Sequence, residues 1–151
     1  MGKTLGKDAA CPIARSLEVV GERWTFLVLR EALLGRTRFT EFRERLGVSP
    51  DILTARLATL VEFSVLERRT YREEGARERE EYRLTESGLD LLPVLGALSQ
   101  WSNEHRPTGD VPSIAFTTAD GEPLTVRFTR PDGIAVDLDE VELVRRRAVA
   151  A

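Results

Sequence analysis

The stretch "SPDILTARLATL", residues 49–60, constrains the fold more than any other part of the chain. Ser49 is a good N-cap, and Pro50 suits the first helical position, where no backbone N–H is needed. Leu53, Leu57 and Leu60 then recur at helical spacing and form one apolar stripe that must be buried. Just before it, "FTEFRERLGV" places Phe39, Phe42 and Leu46 on one face and ends at Gly47, a turn residue. Two short amphipathic helices around a tight turn predict a helix-turn-helix. Such a unit reads DNA in many folds, yet the second helix carries only Arg56 and opens with Asp51. Its charge alone does not suit a polyanion.

The flanking sequence supplies the rest of a winged arrangement. Pro12 to Val20 and Arg23 to Leu34 read as two helices, closed by Gly21 and Gly35, with Trp24, Leu27, Val28 and Leu33 among the apolar positions of the second. The turn-containing pair follows as about Thr40 to Leu46 and Pro50 to Glu62. Leu66 to Tyr71 and Glu81 to Leu84 read as strands around a charged stretch with Gly75, a polar hairpin. Thr85 caps a fifth helix from Glu86 to about His105, which Pro93 should kink or break near its start. Leu89, Leu91, Leu92, Val94, Leu95, Leu98 and Trp101 cover much of its circumference, more than one buried face requires.

From residue 107 the character changes. "RPTGDVP" reads as a linker, and "SIAFTTADGEPLTVRFTRPDGIAVDLDEVELV" has three β-prone runs separated by "ADGEP" and "RPDG". A small antiparallel sheet of about three strands is expected there, ending in a basic "RRR". The fold class is therefore mainly α with a β wing (α+β), a winged helix-turn-helix domain over 10–106 plus a small C-terminal antiparallel β segment over 107–151.

Charge sets limits on function. The net charge is −3, but residues 1–106 carry 17 basic and 17 acidic side chains, whereas 107–151 carry 5 and 8. The first domain is neutral, and a neutral domain binds nucleic acid only if its arginines gather on one face. The lone Cys11 excludes an internal disulfide framework, and with the single His105 far away no zinc site is expected. No nucleophile, base and orienting group cluster in sequence, so neither an enzyme nor a cofactor is expected. No apolar run approaches a membrane span and the N-terminus has no signal core, which predicts a cytoplasmic protein without a membrane partner.

The major groove of double-stranded DNA accepts one helix, entering by its N-terminus and outer face. With Leu53, Leu57, Leu60 and Val61 inward, Asp51, Ala55, Ala58 and Glu62 point outward, flanked by Thr54 and Thr59. The recognition set is Ser49, Pro50, Asp51, Thr54, Ala55, Arg56, Ala58 and Thr59. The methyl groups of Thr54, Ala55 and Ala58 suit thymine, and the free amides near Ser49 suit a phosphate. Attraction would come from outside this helix, from Arg36, Arg38, Thr40 and Arg43 before and on the third helix, and from Arg68, Arg69, Arg72, Arg77 and Arg79 on the wing. Against this, Glu73, Glu74, Glu78, Glu80 and Glu81 compete for the wing arginines, and winged folds also serve as protein-binding modules without DNA binding.

These residues resemble the HxlR-type bacterial transcription regulators, a MarR-like group. The resemblance rests on Cys11-Pro12, on Gly21-x-x-Trp24, on Gly35-x-x-Arg38-Phe39 and on Leu53-Thr54-x-Arg56-Leu57. It continues through Glu81-Tyr82-x-Leu84-Thr85 and Pro93-Val94-Leu95-x-x-Leu98-x-x-Trp101, and covers about residues 10–104 in order. It implies a homodimer with one winged domain on each half of a palindromic operator, and a repressor. It places the terminal helices at the interface, through Ile13, Leu17, Leu92, Leu95, Leu98 and Trp101. The tail lies outside the resemblance. Some HxlR-type regulators sense electrophiles or oxidants at the position Cys11 matches; a helix N-terminus with Lys7 and Arg15 near in sequence favours a thiolate there. The alternatives are a buried structural Cys11, or a regulator whose small-molecule effector lies between the fifth helix and the tail.

Overall fold

The computed structural model describes residues 9–75 and 77–146. It divides into two compact units, Met1–Leu95 and Gly96–Ala151. The first is built from α1 (Pro12–Val20), α2 (Arg23–Leu33), α3 (Phe39–Leu46), α4 (Pro50–Glu62), β1 (Leu66–Tyr71), β2 (Arg79–Leu84) and the short α5 (Glu86–Leu89). The boundary falls within α6 (Leu92–His105). Among the described residues no helix is long and apolar enough to cross a membrane.

The helix-turn-helix forms for the reasons its sequence suggests. Ser49 caps α4, its hydroxyl accepting from the Ile52 N–H, and Pro50 opens the first turn. Gly47 closes α3 at φ 61°, a left-handed turn that costs glycine little. Leu53, Leu57 and Leu60 are all buried, together with Val28 and Leu29 of α2 and Phe42 of α3. Each fully buried Leu contributes about 1.5–3 kcal/mol of transfer free energy, so the stripe firmly fixes which face of α4 remains outward. α4 ends without glycine: Ser64 adopts φ 56°, and the Val65 N–H donates to the Leu60 carbonyl at 2.8 Å.

The wing is an antiparallel hairpin with Leu66 opposite Leu84 and Tyr71 opposite Arg79. β2 begins two residues before the expected start. A third short segment extends this pairing. Arg38 forms a bridge with Glu81, and the Tyr82 N–H donates to the Thr37 carbonyl at 2.7 Å. The α2–α3 connection thus lies along the edge of β2 and ties the wing to the helix-turn-helix. The expected fifth helix is two helices. Asp90 and Leu91 turn between α5 and α6, and Pro93 sits in the first turn of α6, where its missing N–H leaves no helical bond unmade.

In the second unit the expected three-stranded sheet is replaced by two local hairpins, each with one bridge, Thr117 with Pro123 and Thr129 with Ala135. Gly121 (φ 90°) and Gly133 (φ 84°) make the turns. The antiparallel character is as expected, but among the described residues no ladder joins the hairpins. Proline supplies a reason. Pro123 occupies a bridge position without a donor, and Pro131 stands where the second hairpin turns. A 3-10 turn, Leu138–Glu140, follows.

Candidate nucleic-acid interface

The outer side of α4 presents small side chains in the open. Ser49, Pro50, Asp51, Thr54, Ala55 and Ala58 are all exposed. Thr59 is half-buried, and its hydroxyl donates to the Ala55 carbonyl at 3.0 Å. Arg56 departs from this face. It is half-buried, its Nη1 lies 3.7 Å from Glu22 Oε1, and its Nε is buried with no partner among the described residues. One residue after Ala55, at the margin of the buried stripe, its side chain folds toward the α1–α2 junction. It helps to anchor α4 there.

At the front of α3 the Glu41 carboxylate accepts the backbone N–H groups of Thr37 and Arg38, both at 2.9 Å. These two bonds hold its pKa below the ordinary glutamate range. They satisfy donors at the helix start and begin α3 one residue earlier than sequence periodicity indicates. The spacing Arg38-x-x-Glu41 was the available signal, an N-cap position followed three residues later by glutamate. Thr40 and Arg43 are exposed on this helix. Arg36 is half-buried with its Nε unpartnered among the described residues, and its N–H closes the end of α2 on the Glu31 carbonyl.

The wing arginines divide. Side chains alternate across a strand, so Glu67, Arg69, Tyr71, Arg79, Glu81 and Arg83 share one face. There Arg69 Nε meets Glu67 Oε1 and Arg83 Nε meets Glu81 Oε1, each at 2.7 Å. The bond from Arg83 lowers the Glu81 pKa. On the other face Arg68 lies 3.5 Å from Glu80, and Tyr82 packs edge-on against Phe42. Burial raises the Tyr82 pKa. Arg38 pairs with Glu73 at 2.7 Å and lies over the Tyr71 ring. Arg72 is also engaged. Among the described residues Arg43, Arg77 and Arg79 form no ion pair.

Sequence reasoning overlooked Glu31, a carboxylate 4% exposed on α2. Arg30 binds its Oε1 through two nitrogens at 2.7 and 2.9 Å, and Arg45 of α3 approaches its Oε2 at 4.0 Å. An Arg-Glu pair in a helical run gives no sequence sign that the acid lies inside.

Cys11 holds the N-cap position of α1, half-buried, with no cap bond from its side chain. Its carbonyl accepts the Arg15 N–H at 3.1 Å. Lys7 lies outside the described residues. Ile13, Leu17, Leu92, Leu98 and Trp101 are exposed, whereas Leu95 is 8% exposed, so it offers little area to a partner.

Residues 19–110 match the family described as the HxlR-like helix-turn-helix. The chain belongs to this family. Members and relatives of the HxlR family are helix-turn-helix transcriptional regulators, not enzymes. The HTH-type transcriptional regulator MT3179 of Mycobacterium tuberculosis is 44% identical over 102 residues, covering 68% of this chain and 63% of that protein. This chain therefore spans less than two thirds of that relative's length. The structure is similar to that of PA1607, described as a candidate transcription factor, with a TM-score of 0.78 and 35% identity over 95% of this chain and 100% of that one. It is also similar to PA1374 of Pseudomonas aeruginosa, with a TM-score of 0.64 and 38% identity over 93% and 95% of the two chains. Both likenesses take in the HxlR region and most of the tail. YodB of Bacillus subtilis in its reduced form matches with a TM-score of 0.57 and 28% identity, over 66% of this chain and 98% of YodB.

Proposed function

We propose that this chain is a cytoplasmic, DNA-binding transcriptional regulator that acts as a homodimer on a palindromic operator and represses the genes it controls. The observation that carries this reading is the exposed face of Thr54, Ala55 and Ala58, held outward by the buried Leu53, Leu57 and Leu60. Small side chains let a helix sit deep in the major groove, and their methyl groups suit thymine. The exposed Ile13, Leu17, Leu92, Leu98 and Trp101 support self-association, because apolar side chains of this size gain from leaving water. The test is fluorescence anisotropy on DNA upstream of the protein's own gene. Thr54→Glu places a carboxylate at the groove floor and should abolish binding while the dimer, measured by light scattering, persists. Undiminished binding by Thr54→Glu would sink this reading, and so would affinity insensitive to salt.

A second reading concerns control. Cys11 is partly accessible at the start of α1, where an oxidant can reach its sulfur. Similar structures include HypR, described as a redox regulator, and YodB after diamide treatment. Oxidation here would cross-link two protomers or cap the thiol. Diamide should then release wild-type protein from DNA and spare Cys11→Ser; equal responses from the two would count against a sensor.

A further inference from the structure

Arg38 stands at the meeting point of the helix-turn-helix and the wing. Its backbone bridges Glu81 on β2, and Glu81 in turn pairs with Arg69 on β1. The order across the sheet is therefore the 37–38 segment, β2, β1. Directly opposed residues share a face, as do residues two apart along a strand. Arg38, Glu81, Arg69 and Tyr71 thus lie on the same side.

From the edge the Arg38 side chain crosses β2 to the far strand. Its Cζ lies 4.7 Å from the centroid of the Tyr71 ring, and its Nη2 donates to Glu73 Oε1 at 2.7 Å. Its backbone N–H is held at 2.9 Å by Glu41 of α3. One residue so joins the start of α3 to the point where β1 enters the wing tip. A guanidinium is suited to this because its flat face stacks while its edge donates. The stacked face and Nη2 are in use, which holds the guanidinium against Tyr71 and Glu73, while the side chain stays 42% exposed.

We infer that Arg38 is a positioning residue, which fixes the wing tip relative to α3 and α4 through Tyr71 and Glu73 so that the tip and the recognition helix meet one duplex together. This deepens the DNA-binding reading above and rests on it for its consequence at the operator, though not for the clamp itself. The opposite arrangement, in which Glu73 masks Arg38 until a phosphate replaces it, predicts the reverse sign for one substitution.

The experiment uses the full chain with Arg38→Gln, Glu73→Gln and the double variant. In the free protein, 15N relaxation over residues 72–78 should show faster motion in both single variants. Unchanged relaxation overturns the clamp whether or not the protein binds DNA. On a duplex selected from a random pool by the wild type, each single variant should bind about tenfold more weakly, and the double variant no worse than either. The slope of log affinity against log salt should remain that of the wild type. Tighter binding by Glu73→Gln, or a slope reduced by about one in Arg38→Gln alone, assigns Arg38 to phosphate and overturns the inference. Increased wing motion with no DNA selected would retain the clamp and remove the DNA-binding reading.

Discussion

Gln100 pairs with Val126 as one strand pairs with another. Its Oε1 accepts the Val126 N–H at 3.0 Å, and its Nε2 donates to the Val126 carbonyl at 3.4 Å. One turn earlier Gly96 leaves room for the same residue, since a Cβ there would lie 2.8 Å from Val126 Cγ2. Residues four apart share a helix face, so α6 receives the first hairpin through one bare position and one amide. Gln100→Ala should cost about 0.5–1.5 kcal/mol, because water can replace part of the lost pairing at an exposed site. Hydrogen exchange at Leu124 and Val126 should quicken, while exchange in α4 stays as it was. Equal exchange in the two proteins would make the pairing incidental.

The parts of this fold that were legible in the sequence are those governed by local rules. Ser49 and Pro50 set the start of α4, Gly47 the turn, and the Leu53, Leu57 and Leu60 period its buried face. The parts that were not legible depend on partners distant in sequence. Arg38 looks like any exposed arginine until Glu81 and Tyr71 are brought beside it. Arg56 looks like a groove residue until Glu22 is seen near it. The tail's alternating apolar residues suggest a ladder, but each run closes on its own turn and the Pro123 position lacks a donor.

Gly88 is buried where α5 passes the end of α4. Its N–H donates to Thr85 Oγ1 at 3.1 Å, and that hydroxyl donates to the Ser64 carbonyl at 2.6 Å. A Cβ on Gly88 would stand 2.3 Å from the Val65 carbonyl oxygen, a backbone atom that cannot swing aside. Gly88→Ala should therefore destabilise the chain by about 1–3 kcal/mol, the usual cost of overpacking. Urea unfolding measures this directly; a midpoint equal to the wild type's would mean that the α4–α5 junction adapts freely.

Glu41 should make stability depend on acid. Backbone N–H donors hold its folded pKa below the ordinary glutamate value of about 4.3, so its contribution is complete above that value and is lost as pH falls through the lower folded one. Glu41→Gln keeps an acceptor but cannot titrate. The stability difference between wild type and Glu41→Gln should be constant from neutral pH to about 5 and shrink below about 4.3. Glu81 shifts the same way in both proteins and cancels in the difference. A difference that persists undiminished at acid pH would show that the carboxylate's charge is irrelevant to the cap.

The wing arginines should separate by their ion pairs. Arg69 is bound to Glu67, whereas among the described residues Arg77 and Arg79 form no such pair. An unpaired guanidinium near the tip can displace counterions from DNA without first giving up a carboxylate. Arg77→Ala and Arg79→Ala should each weaken binding to specific and random duplexes alike, and each should lower the salt slope by about one. Arg69→Ala removes a cation already neutralised and frees Glu67, so its slope should stay close to that of the wild type. Anisotropy titrations at several salt concentrations decide the matter. If Arg69→Ala lowers the slope as much as Arg77→Ala does, the pairs seen here break on binding, and ion pairing in the free protein does not predict which arginines meet the phosphates.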